Sequence, residues 1–245
     1  MNNLSNDHRK NLIIKLVDCF GGLTVEDIDS AVSEAKEKLA KKVEADRKRD
    51  YASLFDSQME TIKEILASMK IPSEAILGVF QDKKSEVINR AGEMDIPEGN
   101  IPFLLVITRA YLGITGLIAM VRNRDNVGYT YINPNKITDN VEPQESLYVI
   151  YDVEPGKATL GKSPREAEAI IKKQNRLPHI PDEDIAVCIH TDVLSDHYLW
   201  STGSRYKDAD NVPYIYLYDG KPKLHWSYID NSADKWGSAS CRSRS

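Results

Sequence analysis

The chain has 245 residues, 32 basic against 37 acidic, and a net charge of -5. That length can bury a core as one large domain or two small ones. The acidic balance argues against a broad basic field for nucleic acid, while leaving room for a local basic patch. Cys19, Cys188 and Cys241 are far apart, with no CxxC or Cys/His ligand spacing. They fit a reducing compartment better than a disulfide framework or a zinc site, and no metal or cofactor is expected.

In chain order, the polar stretch Met1 to Asn11 has no apolar core of a signal peptide. Leu12, Ile13, Leu16, Val17 and Phe20 form a helical stripe over residues 8–20 that stops at Gly21-Gly22. Thr24, three residues before Asp27, is a cap-like start for a second helical stripe, Val25, Ile28, Val32, Ala35, Leu39 and Val43. Glu34/Lys38 and Glu37/Lys41 are four apart in the favourable order, so the outer face is solvated. The run Arg47-Lys48-Arg49 is interleaved with acids and continues that face. Two further helical patterns follow, one through Met59 to Met69 ending before Pro72, the other from Ser73 to Gly92. Residues 95–102 then read as a linker. The expected division is an N-terminal helical region, 1–95, and an α+β domain, 96–245.

Past the linker, Phe103 to Thr108 and Leu147 to Tyr151 are apolar runs short enough for buried strands. A short helix is expected around Thr115 to Val121 and a strand over Gly128 to Ile132. Ser163-Pro164-Arg165-Glu166 carries a Ser cap, a Pro at the first helical position and a Glu that can reach back to the cap, so a helix runs to about Asn175. Pro181-Asp182-Glu183-Asp184 opens another, with Ile185, Cys188 and Ile189 on its buried stripe. No run approaches the roughly eighteen apolar residues of a membrane span, so a soluble cytoplasmic protein is expected.

The clearest local signal is a hairpin. Asp219-Gly220 sits between two strand-forming runs and is the preferred pair for a type I′ turn, where both central residues need positive φ. A two-residue loop sets Tyr218 opposite Lys221, Tyr216 opposite Lys223 and Tyr214 opposite His225, with Leu217, Ile215 and Pro213 facing Pro222, Leu224 and Trp226. One face is then aromatic and basic, and the other apolar.

Arg109, Gly128-Tyr129, Leu147-Tyr148-Val149, Ser163-Pro164-x-Glu166-Ala167, Arg176-x-Pro178, Gly203-Ser204-Arg205, Pro213, Trp226 and Ala239-Ser240 ending in Arg244 come in an order that resembles a family of uncharacterised bacterial proteins, carried as a domain of unknown function. The resemblance implies a shared fold and transfers no catalytic residue. The chain departs from that pattern at Asp184, where the family tends to place Gly, and its charged helix around Glu34 to Arg49 is extended.

Three groups of residues carry chemistry. If Trp236 to Arg244 is one strand, Ser240, Arg242 and Arg244 share a face, and Gly203-Ser204-Arg205 adds a third guanidinium. Arginine forks with serine hydroxyls suit a phosphate or carboxylate. The competing reading pairs these arginines with nearby acids such as Asp208, Asp210 or Asp234. A second cluster, His190-Thr191-Asp192 to Ser195-Asp196-His197, lacks metal or nucleophile spacing and fits a helix end followed by a polar turn. Third, Tyr214, Tyr216 and Tyr218 with Lys221, Lys223 and His225 read first as an exposed or helix-covered sheet face of strand-forming residues; the competing readings are a face that stacks bases or contacts a protein.

These readings combine into an α+β protein: a helical region followed by a mixed, mainly antiparallel sheet flanked by helices. The expected function is non-catalytic binding of an anionic ligand or protein partner, anchored by Arg205, Arg242 and Arg244. An enzyme using the Arg/His/Ser cluster is the alternative, and single-stranded nucleic acid on the Tyr/Lys face the third.

Overall fold

A computed structural model describes residues 24–141 and 145–245. The stripe expected over 8–20 and the thiol Cys19 lie outside them. The chain is α+β, helices first and a strand-rich region after, with mainly antiparallel pairing. Contacts divide it into two compact units, residues 1–49 and 50–245.

Helix α1 covers Val25–Ser68 and contributes to both units. Where two helical patterns are read from the sequence, one helix runs through, because the polar stretch between them holds no Gly or Pro to break it. Its start is capped reciprocally: Thr24 N donates to Asp27 Oδ2 at 2.7 Å and Asp27 N to Thr24 Oγ1 at 3.2 Å. The spaced pairs form, Lys38 with Glu34 at 2.6 Å and Lys41 with Glu37 at 2.7 Å. In this first unit Val32, Leu39 and Val43 are exposed.

The second unit holds the core, and its boundary differs from the change of pattern at residue 95. Phe55, Ile62 and Leu66 of α1 and Ile76, Phe80, Val87 and Ala91 of α2 (Glu74–Glu93) belong to the same buried cluster as the strands that follow. These are β1 (Ile101–Ile107) and β6 (Leu147–Val153), antiparallel neighbours in which β6 is wholly buried. Gln58 of α1 covers the free edge of β1: its Nε2 donates to Phe103 O at 3.0 Å and its Oε1 accepts from Leu105 N at 2.9 Å. An uncovered edge strand in the core would leave those backbone groups unsatisfied.

Between β1 and β6 come α3 (Arg109–Ile118), the short β2 (Arg122–Asn123) and β3 (Asn126–Val127), β4 (Tyr129–Thr130) and β5 (Ile137–Asp139). α3 is kinked at Gly113 (φ 67°, ψ 158°): the part after the kink begins where the helix around Thr115 is expected, and the part before it starts where Asp182 Oδ1 accepts the Arg109 backbone N–H at 2.5 Å. After β6, α4 (Pro164–Lys173) has the expected capping box and Pro, and β7 (Leu177–Pro178) leads into α5 (Pro181–His190).

Helix α5 packs on β1 and also on β10 (Asn211–Tyr218), so it lies between the two main sheets. α6 (Val193–Asp196), β8 (Tyr198–Trp200), β9 (Ser204–Tyr206) and β11 (Lys221–Tyr228) surround that strand in sequence. The hairpin has the expected register throughout, from Tyr218 opposite Lys221 to Pro213 opposite Trp226. Asp219 (φ 49°) and Gly220 (φ 71°) both lie in the left-handed region that the turn requires.

The C-terminal segment corrects the single-strand expectation. It is three short strands with three partners: β12 (Trp236–Gly237) on β8, β13 (Ser240–Cys241) on β7 and β14 (Ser243–Arg244) on β6. Gly237 permits the close crossing with Gly156 at the first break, since a Cβ there would meet Gly156 O at 2.1 Å. Ser240, Arg242 and Arg244 therefore do not form one face. The resulting five-stranded sheet has the order β12-β8-β10-β11-β4.

Candidate functional site

The N-terminus of α5 carries three consecutive acids, and all three are buried against different partners. Asp182 meets Arg109 at 2.7 Å, Glu183 meets Arg244 at 2.5 Å and Asp184 meets His179 Nδ1 at 3.1 Å. Arg244 forks onto both Glu183 oxygens and also donates to Pro178 O at 2.8 Å, while Tyr148 donates to Glu183 at 2.9 Å. Burial alone would raise the Glu183 carboxyl, but the Arg244 fork outweighs it and holds it below its ordinary value. At Asp182 burial wins over Arg109 and pushes the carboxyl up to about 6. His179 goes the other way: burial opposes its charge, yet Asp184 and Cys241 keep the ring protonated well above its usual range.

The remaining arginines of the sequence reading are engaged in the same manner. Arg205 pairs with Glu168 at 2.5 Å and donates to the carbonyls of Thr202, Ser204 and Ala209. Arg242 reaches Asp152 at 2.8 Å, with its side chain still 49% exposed. Arg176 holds the same Asp152 at 3.1 Å and donates to Ser240 Oγ at 2.9 Å. Ser204 Oγ donates to Asp139 at 2.6 Å, and Asp139 also accepts from Arg109. The arginines are paired, as the competing reading had it, but with Glu168, Asp152 and Glu183 instead of Asp208, Asp210 or Asp234. Ser204, Arg205, Arg242 and Arg244 each bond a separate acid and Ser240 accepts from Arg176, so the five are not gathered at one cavity.

A family model described as a family of unknown function (DUF5701) matches residues 61–245. The chain belongs to the DUF5701 family. No curated protein and no solved structure matches it. Of the scattered residues by which the chain resembles such a family, Arg109 and Arg244 pair here with Asp182 and Glu183 of α5, Ser204 bonds Asp139 and Arg205 bonds Glu168 of α4. In this DUF5701 chain Arg244 joins β14 to α5.

One concave surface adjoins this network: a cleft of about 510 Å³ between α4 and β7, lined by Ile171, Leu177 and Pro178 and by Glu168 and Arg176, with Lys172 and Thr202 at its wall. At the other end of α5 two adjoining cavities, about 240 and 330 Å³, share Arg122, Cys188, Thr191 and Asp192. His190 lines the first, and Asn123, Arg124 and Ser195 line the second. Neither Arg205 nor Arg244 lines these cavities or the groove at His197, whose Nε2 is occupied by Pro155 O at 2.8 Å.

The Arg122 niche is built by three elements. Gly128 lets the β2–β3 hairpin turn back against α3, since a Cβ there would meet Ile118 O at 2.2 Å. Asn123 and Asn126 tie the hairpin to Gly220 O at 2.7 and 3.2 Å. Arg122 donates to Ala119 O and, at 3.2 Å, to Ser68 Oγ, both neutral acceptors. With no carboxylate bound to it among the described residues, burial pushes its guanidinium below the ordinary value. Arg124, in the left-handed turn position (φ 55°), is exposed beside it and likewise unpaired among the described residues.

His190 ends α5, as expected, and its ring hydrogen-bonds the Leu105 backbone. Its Nε2 reaches neither solvent nor any partner. Burial lowers its pKa to about 4, so the ring is neutral and Nε2 is an unused acceptor. Cys188, also buried, is held as a thiol well above its usual pKa. Sequence reasoning missed Arg122 and Arg124, which a short hairpin brings to α5 from far along the chain. Among the described residues no cluster of His, Cys, Asp and Glu fits a metal ion, and no helix is long and apolar enough to cross a membrane.

Proposed function

We propose that this protein is a cytoplasmic, non-catalytic binding protein for a small anion, and that the ligand sits in the niche between the β2–β3 hairpin and the C-terminus of α5. The observation that carries the reading is Arg122, a partly buried guanidinium whose only partners among the described residues are the neutral acceptors Ala119 O and Ser68 Oγ. Even partial burial disfavours a cation that has no counter-charge, and an incoming anion relieves that. Arg124 adds a second guanidinium at the mouth, and the forked donors suit a phosphate or carboxylate. Ser195, in the lining, favours an anion that also takes part in hydrogen bonds, as a phosphate monoester does. Asp192, the acid in the lining, works against a highly charged ligand.

The non-catalytic reading rests on the state of the reactive groups. A thiol held protonated is a poor nucleophile, and an imidazole with a pKa about 4 is a weak base near neutrality. The anchors first read from the sequence, Arg205, Arg242 and Arg244, are already bonded to acids, so the anion chemistry expected of them passes to Arg122 and Arg124.

Thermal melts with inorganic phosphate, sulfate and small carboxylates test this. A ligand that binds only the folded state adds about 2.7 kcal/mol at a hundredfold excess over its Kd. We expect phosphate to raise Tm, and the rise to vanish in Arg124→Ala and in Arg122→Gln. No shift with any anion, or one that survives both substitutions, overturns the proposal.

A further inference from the structure

The sheet face turned away from α5 carries a row of aromatic side chains as wide as the sheet. Register puts Trp236 of β12 beside Tyr198 of β8, Tyr216 of β10 opposite Lys223 of β11, and Lys223 beside Tyr129 of β4. Ring contacts join the row: Trp236 to Tyr198 at 5.4 Å, Tyr198 to Tyr216 at 6.1 Å. At the β4 end Tyr129, Tyr131 and Tyr218 surround a cup of about 240 Å³ that Asp219 and Lys221 also line. The Lys223 ammonium stands over four rings, 4.8 Å from Tyr218, 5.6 Å from Tyr129, 5.9 Å from Tyr131 and 6.0 Å from Tyr216. Neither Lys221 nor Lys223 has a carboxylate partner among the described residues. Tyr131 is 84% exposed and Tyr218 56%.

Such an arrangement leaves two things unmatched: the exposed ring surface of Tyr131 and Tyr218 not covered by Lys223, and cations with no acid. We propose that this face binds single-stranded nucleic acid, a base stacking in the tyrosine cup and the flanking phosphates meeting Lys221 and Lys223. Unpaired bases offer a π-face at every step and a phosphate beside it, which is the chemistry that aromatic rings interleaved with lysines recognise. A duplex hides its bases and satisfies only the charges. The net charge of -5 confines attraction to this patch, so binding is local, weak in reach and indifferent to base sequence. The cup shares no lining residue with the Arg122 niche, and Asn123 and Asn126 of the niche hairpin bond Gly220 O in the turn beside it.

The experiment is fluorescence anisotropy of a labelled short oligothymidylate with the full chain, titrated over a range of salt. Two lysines meeting phosphates of a single strand predict a slope of log K against log salt of about -1.4, falling to about -0.7 in Lys223→Ala. Tyr131→Ala and Tyr218→Ala should each weaken binding roughly five- to a hundredfold, the range for losing one stacked base. Both side chains are exposed, so circular dichroism melts should match those of the unsubstituted protein. Asp219→Asn keeps a residue suited to the turn and removes the acid in the cup, so it should tighten binding. Four outcomes overturn the proposal: no single-strand binding at low salt, equal affinity for a duplex of the same length, undiminished binding in the tyrosine variants, or no change of salt slope in Lys223→Ala.

Discussion

Glu183 accepts from Arg244, from Tyr148 and from the Ile180 backbone N–H at 3.0 Å, so one fully buried carboxylate joins β14, β6 and the start of α5. Removing its cation should do more harm than removing both charges. Arg244→Met leaves Glu183 uncompensated and is expected to cost about 3–5 kcal/mol. Adding Glu183→Gln keeps the Ile180 cap and removes the buried charge, so the double variant should recover part of the loss. Urea unfolding midpoints of the two variants decide it: a double variant no more stable than Arg244→Met would mean the charge is not what the fork neutralises.

Among elements, two glycines separate backbone requirement from mere tolerance. Gly237 ends β12 where the chain crosses Gly156, and a Cβ at Gly237 would stand 2.1 Å from the Gly156 carbonyl oxygen, which leaves no room for a side chain. Gly78 lies exposed within α2, and a Cβ there would meet nothing within 4 Å. Gly78→Ala should therefore stabilise by about 0.4–1 kcal/mol, by restricting the unfolded chain and favouring helix. Gly237→Ala should destabilise by at least ~2 kcal/mol through the backbone shift it forces. Melts of the pair report on the junction directly, and a neutral Gly237→Ala would show that β12 can leave β8 without cost to the fold.

For the molecule as a whole, α5 is the joint. Its N-terminus gathers Arg109, His179 and Arg244 from three places in the chain, and its C-terminus presents His190 and Cys188 to the niche. Because those groups are buried, global stability depends on pH. His190 has a folded pKa of about 4 against an ordinary 6.5, so the unfolded chain takes up the proton first. Its contribution is complete above pH 6.5 and is lost as pH falls towards 4, by on the order of 2–3 kcal/mol. A His190→Gln variant lacks that loss. The stability of the unsubstituted protein minus that of the variant should then fall across this window, measured by urea unfolding at stepped pH, and a flat difference would mean the ring is not held neutral.

Much of the local architecture was legible in the residues. Thr24 and Asp27, Ser163-Pro164-x-Glu166 and Asp219-Gly220 act through neighbours a few positions away, and the starts of two helices and the register of the hairpin followed from them. The pairing of each tyrosine with its lysine or histidine followed in turn from that register. Long-range geometry was not legible. Pro181-Asp182-Glu183-Asp184 marks a helix start, but nothing nearby in sequence announces Arg109 and Arg244, and a carboxylate's burial depends on what the rest of the chain folds over it. The same is true of Arg205, Arg242 and Arg244, whose acids lie at positions 168, 152 and 183. Arg122 became a candidate only in three dimensions: whether a guanidinium is paired or left without a counter-charge is a property of the space around it, and that space is made by a hairpin, a helix end and Ser68 brought together by folding.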